Sequence, residues 1–194
     1  MSDDAFVSRW RCNNVDATAA DRDVPRLHEL ARGTAEFNEV VSRFAAQAKM
    51  GGRVVSVQRV ECRLKWAMYR ELRCQLHARD GGDAPTEELL FHGASREIIA
   101  RIVFGHGFDV SLAGAASSMR PWGVGAYFAH EATYSADPLY AIPYTDSDAT
   151  RLQQIVLAKV TTGIAERGSE GATGNERVDS FYGQSSPFHA QARP

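Results

Sequence analysis

The sequence predicts an α+β fold in one domain, and three observations predict it. Apolar residues recur at helical spacing over residues 25–50 and again over 64–77, the period at which one face of a helix meets a core. Short β-branched or apolar runs, at residues 53–60, 88–92, 125–129 and 152–161, lie between and after these segments and read as strands. The chain has 194 residues, enough for one substantial core and crowded for two.

The elements follow in order. Residues 1–23 are polar and rich in aspartate (Asp3, Asp4, Asp16, Asp21, Asp23), and we take them as an N-terminal tail ahead of a domain spanning 24–194. From Pro25 the apolar positions Leu27, Leu30, Ala31, Phe37, Val40, Val41, Phe44 and Ala48 form a helical stripe interrupted at Gly33-Thr34. That reads as two short helices or one broken helix, with Thr34 as the cap of the second part. Gly51-Gly52 turns the chain into the strand Arg53-Val54-Val55-Ser56-Val57-Gln58-Arg59-Val60. The next helix places Leu64, Met68, Leu72 and Leu76 on one face with Trp66 and Tyr69 beside them, and Gly81-Gly82-Asp83-Ala84-Pro85 ends it.

Glu88 to His92 is then a strand, and Ser95 to Phe104 a helix with Ser95 as N-cap and Gly105 as C-terminal cap. Gly125 to Ala129 reads as a strand and His130 to Asp137 as a helix. Leu152 to Thr161 is a strand apolar on both faces, and Glu166 to Glu176 a loop of Gly and Glu. Residues 180–187 offer no convincing strand. No segment repeats with a period of about 20 to 50 residues, so solenoids and propellers drop out.

Composition narrows the function classes. A formal net charge of −2 and a pI near 6.3 supply no bulk electrostatic attraction to nucleic acid or an anionic membrane. Three cysteines, Cys12, Cys62 and Cys74, form no C-x-x-C pair. An odd set of this kind points to reduced thiols and an intracellular site, cytoplasmic or nuclear. The first twenty residues hold no signal-peptide core and the chain no run of about 18 apolar residues, so neither secretion nor a membrane span is expected. Cys74-Gln75-Leu76-His77 is half of a metal-ligand spacing without its other half, so no metal is expected. His106 between two glycines reads as a turn residue. G-x-S-x-G, Walker A and H-E-x-x-H stretches are absent, which removes the commonest hydrolase, NTPase and zincin readings.

Function is legible in three pieces that follow one another between residues 89 and 140. They are Leu89-Leu90-Phe91-His92-Gly93, then Gly123-Val124-Gly125-Ala126-Tyr127-Phe128-Ala129, then Ala132-Thr133-Tyr134-Ser135 with Tyr140. An apolar strand ending on His-Gly, a Gly-x-Gly turn opening a strand that carries Tyr, and a Tyr-Ser helix start can together line a cleft for a flat polar ring. Taken singly each is weak. A histidine at a strand end is usually satisfied by backbone, a strand tyrosine is usually packing, and Gly-x-Gly here lacks the third glycine and helix of a dinucleotide fingerprint.

Together the pieces resemble the catalytic domain of the poly(ADP-ribose) polymerase family, which has the diphtheria-toxin-like ADP-ribosyltransferase fold. The stretch Val60 to Tyr69 is similar to that family's strand-to-helix entry. The resemblance spans about residues 35 to 194. It implies split antiparallel β-sheets with flanking helices around an NAD cleft, NAD as co-substrate, no metal, and a protein acceptor. It also implies roles. His92 bonds a ribose hydroxyl of NAD, the Gly93 backbone pairs with the nicotinamide carboxamide, and Ser135 bonds the carboxamide oxygen. Tyr127 and Tyr140 stack on the ring, and Phe128 and Ala129 complete the cofactor-binding stretch. His92 and Tyr127 are the residues assigned to catalysis. The five-residue step from Ser135 to Tyr140 is similar to the mono-ADP-ribosylating branch.

The expected activity is therefore mono-ADP-ribosyl transfer from NAD to a protein side chain, by a monomer. A catalytically silent NAD-binding or interaction module and an NAD glycohydrolase stand as alternatives. Departures from the family pattern bear on this choice. Ala94 replaces the usual Thr or Ser after His-Gly, and Trp122 stands where Tyr is common. Arg120 is a candidate contact for the diphosphate. The third family position, Glu in chain-forming members, falls near Gly183 or Gln184 when counted back from Gln191, whereas an alignment on Val178-Asp179-Ser180 leaves its strand missing. Neither alignment supplies a carboxylate, which disfavours chain elongation.

Overall fold

A computed structural model describes residues 10, 24–45, 53–79, 81, 87–109, 125–167, 180–182 and 189–192. The rest of the expected tail, the Gly123-Val124 half of the glycine turn, Arg120, Trp122, most of the Gly and Glu loop, Val178-Asp179 and Gly183-Gln184 lie outside the described residues.

The sheet that organises the site is built around β3 (Glu87–Gly93). Leu90 and Phe91 at its centre are buried, so this strand must be covered on both faces and has a neighbour along each edge. On one edge runs β7 (Ile155–Thr161), antiparallel, with Glu87 opposite Thr161 and Gly93 opposite Ile155. On the other lies β4 (Ala126–Ala129), with Phe91 opposite Ala129. Beyond β4 comes β10 (His189–Ala192), which sets Gln191 opposite Tyr127. Among the described residues the order is β10-β4-β3-β7. A strand therefore covers the outer edge of β4.

Leu90, Ala126, Phe128 and Val160 form the core of this sheet, with Phe108 and Ala158 packed against it. Each large apolar side chain buried there contributes about 1.5 to 3 kcal/mol. α3 (Arg96–Phe104) begins as its sequence demands, with the Ser95 hydroxyl accepting the Ile98 N–H at 3.3 Å. Gly105 closes it, donating its N–H to the Arg101 carbonyl at 2.8 Å. Ala94, Ile99 and Val103 bury its apolar side.

α2 (Arg63–Arg79) is where the sequence expects a helix, but its orientation reverses the expectation. The Leu64, Met68 and Leu72 stripe faces solvent, at 51%, 60% and 39% exposure. The opposite side packs instead, through polar and aromatic groups. Tyr69 donates its hydroxyl to Glu87, which also bonds Arg73 at 3.2 Å and Lys159 at 3.1 Å. Lys65 reaches the Ile102 and Val103 carbonyls at the end of α3, at 2.8 and 2.5 Å. Within the residues expected to form a tail, Trp10 is buried with its ring 6.2 Å from that of Trp66, edge to face.

The first half of the predicted helical stripe is a strand. β1 (Arg26–Glu29) pairs antiparallel with β2 (Gln58–Glu61), Leu27 opposite Val60, and the ladder overrides a helical spacing carried by only Leu27, Leu30 and Ala31. A charge cluster fixes this corner. Arg59 bonds Glu61 and Glu36 at 2.6 Å each, and His28 Nε2 lies 3.2 Å from the buried Glu61 carboxylate. α1 (Ala35–Ala45) follows with Thr34 as its cap, the hydroxyl accepting the Phe37 N–H at 3.3 Å. The predicted strand from Arg53 enters a ladder only at Gln58.

α4 (Ala132–Ser135) is shorter than the predicted helix. Pro138 cannot continue it, and the Asp137 side chain takes the Leu139 N–H at 2.8 Å to form a turn instead. A hairpin of β5 (Tyr144–Thr145) and β6 (Arg151–Leu152) leads into β7. β8 (Ala165–Arg167) pairs in parallel with β9 (Ser180–Tyr182), placing a short strand where the sequence offered none. The Cys62 thiol is buried and that of Cys74 exposed.

Candidate functional site

The end of β3 delivers His92 to a point where two aromatic rings and a carbonyl fix it. Phe108 lies 5.1 Å away edge to face and Phe128 5.6 Å away at a tilt. The His92 Nδ1 atom is 2.7 Å from the Tyr127 main-chain oxygen. A carbonyl only accepts, so Nδ1 carries the proton and Nε2 is left as a bare acceptor. Burial pushes the imidazole below its usual pKa, outweighing the opposing effect of the Tyr127 carbonyl bond. His92 is thus a neutral ring of defined tautomer.

Gly93 is explained by its own chain. A Cβ built there would lie 1.9 Å from the Ser135 carbonyl oxygen and 2.9 Å from its carbon. Only glycine lets the end of β3 touch the α4 backbone this closely. The contact brings Ser135, 2% exposed, beside the His-Gly step.

Tyr140 arrives from α4 through a turn in which its N–H and that of Ala141 both bond the Asp137 carbonyl at 2.9 Å. Its ring stacks on Tyr134 with centroids 4.8 Å apart and planes 26° from parallel, and the two hydroxyls are 2.5 Å apart. Burial, the Tyr140 hydroxyl, and the charges of Tyr140, Asp137 and Tyr127 all raise the Tyr134 pKa, so it stays protonated. Gln153 closes the turn from outside, its amide nitrogen bonding the carbonyls of Ala136 at 2.9 Å and Ala141 at 2.7 Å.

His92, Gly93, Tyr127 and Ser135 are therefore neighbours, and the turn from Ser135 brings in Tyr140. Phe128 and Ala129 are 3% and 1% exposed, so both are packed into the sheet and neither presents a surface to a ligand. Tyr134 and Gln153 carried no assigned role in the sequence. The six-residue step between two tyrosines could have drawn attention to Tyr134, but no spacing marks Gln153, which is joined to the turn only by folding. Among the described residues no group of three or more His, Cys, Asp or Glu could hold a metal.

Comparison with known proteins identifies the family. The poly(ADP-ribose) polymerase catalytic domain matches residues 34–181. The mouse protein mono-ADP-ribosyltransferase PARP11 is 34% identical over 115 residues, covering 59% of this chain and 34% of that protein. Mouse PARP12 is 32% identical over 136 residues, covering 70% of this chain and 17% of its own length. Human PARP14, also named a protein mono-ADP-ribosyltransferase, is 30% identical over 167 residues, covering 84% and 9%. The chain belongs to the poly(ADP-ribose) polymerase catalytic-domain family. The family's domain has the ADP-ribosyltransferase fold, and the helices and antiparallel sheets here are consistent with α+β architecture. The chain spans 34% or less of the length of each of these relatives. Domains of this family use NAD as substrate, and a bare imidazole acceptor, a buried hydroxyl and two part-exposed tyrosine rings are groups that fit it.

Proposed function

We propose that this chain is a mono-ADP-ribosyltransferase that moves ADP-ribose from NAD to a protein side chain. The observation that carries the reading is the bond from His92 Nδ1 to the Tyr127 carbonyl. It presents Nε2 as an acceptor for a ribose hydroxyl and joins the two residues assigned to catalysis. NAD supplies the ADP-ribosyl group, with neutral nicotinamide leaving as its glycosidic bond breaks. Ser135 donates to the carboxamide, and Tyr127 and Tyr140 grip the ring face to face. Both contacts favour departure of the ring as the ribose gains oxocarbenium character. His92, held neutral, adds no like charge to that developing cation. No carboxylate of this chain is assigned to the acceptor, so a carboxylate of the target protein takes the bond to the ribose or removes the proton from the attacking group. Without that carboxylate the domain would bind NAD and do no more, which is the second reading.

Intact-mass analysis of the chain with a mixed protein lysate, after incubation with NAD, tests this beside Tyr127→Ala. The variant keeps the main-chain carbonyl that holds His92, so it reports on the ring alone. Adducts of one ADP-ribose unit with free nicotinamide, both lost in the variant, are expected. Nicotinamide without adducts would make the protein a glycohydrolase. Neither product from folded protein would leave a silent binding module.

A further inference from the structure

We propose that Tyr134 and Gln153 are positioning residues that hold the Tyr140 ring in the pose in which it receives nicotinamide. The inference rests on the reading of the site given above. Tyr140 sits at the end of a turn whose preceding residues, Asp137, Pro138 and Leu139, are exposed, Leu139 at 69%. Burial holds the ends of the turn, at Ser135 and Ala141, but not the three residues that lead into Tyr140, and a stacking surface free to swing loses affinity to the entropy of being ordered.

Two contacts from outside the turn restrain it. Gln153 spends both amide hydrogens on the carbonyls of Ala136 and Ala141, at 2.9 and 2.7 Å. These carbonyls bracket the turn, so its ends keep a fixed separation. Gln153 is itself exposed and adds little to the core, which leaves the bridge as its evident contribution. Tyr134 meets Tyr140 with a near-parallel ring at 4.8 Å and a hydroxyl at 2.5 Å. One face of Tyr140 is thus already covered, and the other is left for a flat ligand. The pair is a preassembled half of a stack that nicotinamide would extend toward Tyr127.

Calorimetric titration of the whole chain with NAD and with ADP-ribose, which lacks nicotinamide, separates ring binding from the rest. Wild type binds NAD more tightly, and Tyr140→Ala removes that preference. Tyr134→Ala and Gln153→Ala each weaken NAD about fivefold, as loss of an ordered aromatic pair implies, and leave ADP-ribose unchanged. Tyr134→Phe keeps the stack and recovers most of the affinity. In turnover the two alanine variants raise KM for NAD and also lower kcat, since the same grip favours departure of the ring. NMR of ring-labelled tyrosine in the ligand-free protein gives an independent reading, since both variants shift and broaden the Tyr140 signals.

If the two alanine variants bind NAD as wild type while Tyr140→Ala does not, the positioning role is wrong and the site reading stands. If wild type has no preference for NAD over ADP-ribose, the ring site itself is wrong and the inference falls with it. Gln153→Ala alters only an exposed side chain, so it stays informative even if Tyr134→Ala unfolds.

Discussion

Gly93 and Ser135 touch through their backbones. The position a Cβ would take on Gly93 is 1.9 Å from the Ser135 carbonyl oxygen, so the His-Gly step of β3 and the start of the Ser135 to Tyr140 turn are one packed unit. A glycine that a ligand-binding reading explains by close approach of nicotinamide is required already by the fold. Ligand binding and packing therefore constrain the same residue.

Gly93→Ala should accordingly destabilise the protein before any effect on catalysis is considered. The intruding methyl meets the Ser135 backbone, which cannot step aside as a flexible side chain would. Overpacking of this kind costs about 1 to 3 kcal/mol, and for a chain of this size about 2 to 4 °C of melting temperature is lost per kcal/mol. Thermal unfolding followed by circular dichroism reads it. An unchanged midpoint would show that β3 and α4 are further apart than described.

How much of this was legible in the sequence depends on the range over which each residue acts. Ser95, Gly105 and Thr34 act on neighbours a few residues away, and all three cap helices as their spacing predicts. His92, Gly93, Tyr127 and Ser135 lie within a 44-residue stretch of the sequence, and their order alone marked them. The exposed side of α2 was misread for the opposite reason. Its periodicity shows an apolar stripe, but what buries the other face is Glu87 and Lys159, partners supplied by β3 and β7, and no local pattern encodes them. The same holds for Gln153, and for β1, whose helical spacing yields to a ladder with β2.

His92 should make the protein acid-sensitive with a recognisable sign. Its folded pKa is lowered by burial, so the unfolded chain binds a proton more readily. Above the unfolded value of about 6.5 both states are neutral and nothing is lost. As pH falls below that value toward the depressed folded one, stability drops. Denaturant titrations between pH 7.5 and 5, run on wild type and His92→Gln, should show a steeper loss in wild type. NAD binding by the folded protein should weaken only as pH falls further, through the depressed folded value, where Nε2 takes up a proton and no longer accepts. Parallel stability curves for the two proteins would mean that His92 is not buried as a neutral ring.

Trp10→Ala should cost roughly 3 kcal/mol, the scale for removing a large buried aromatic. The residue lies in a stretch whose composition suggests a solvated tail, yet it is 5% exposed against Trp66. Removing it strips one neighbour from the Trp66 ring, which also meets Tyr69 at 5.5 Å and the Lys159 ammonium. Guanidinium unfolding gives the energy, and a red shift of the remaining tryptophan emission gives the exposure. No change in either would place Trp10 in solvent.

Glu87 should hold α2 against the sheet in a manner that acid releases. Burial works to raise its pKa, but hydrogen bonds from Tyr69, Lys159 and Arg73 and the Lys159 charge outweigh that and keep the carboxyl below its ordinary value. A depressed folded pKa means that the contribution is complete above the unfolded value near 4.3 and is lost as pH falls through the folded one. Glu87→Gln leaves Arg73 and Lys159 facing a neutral amide, and removing one charged partner from a largely buried network costs about 1 to 3 kcal/mol. The gap in unfolding free energy between wild type and Glu87→Gln should therefore be constant from pH 7 to 5 and should close below pH 4. A gap that persists in acid would show that the network works through shape and hydrogen bonding, with the charge of Glu87 contributing nothing.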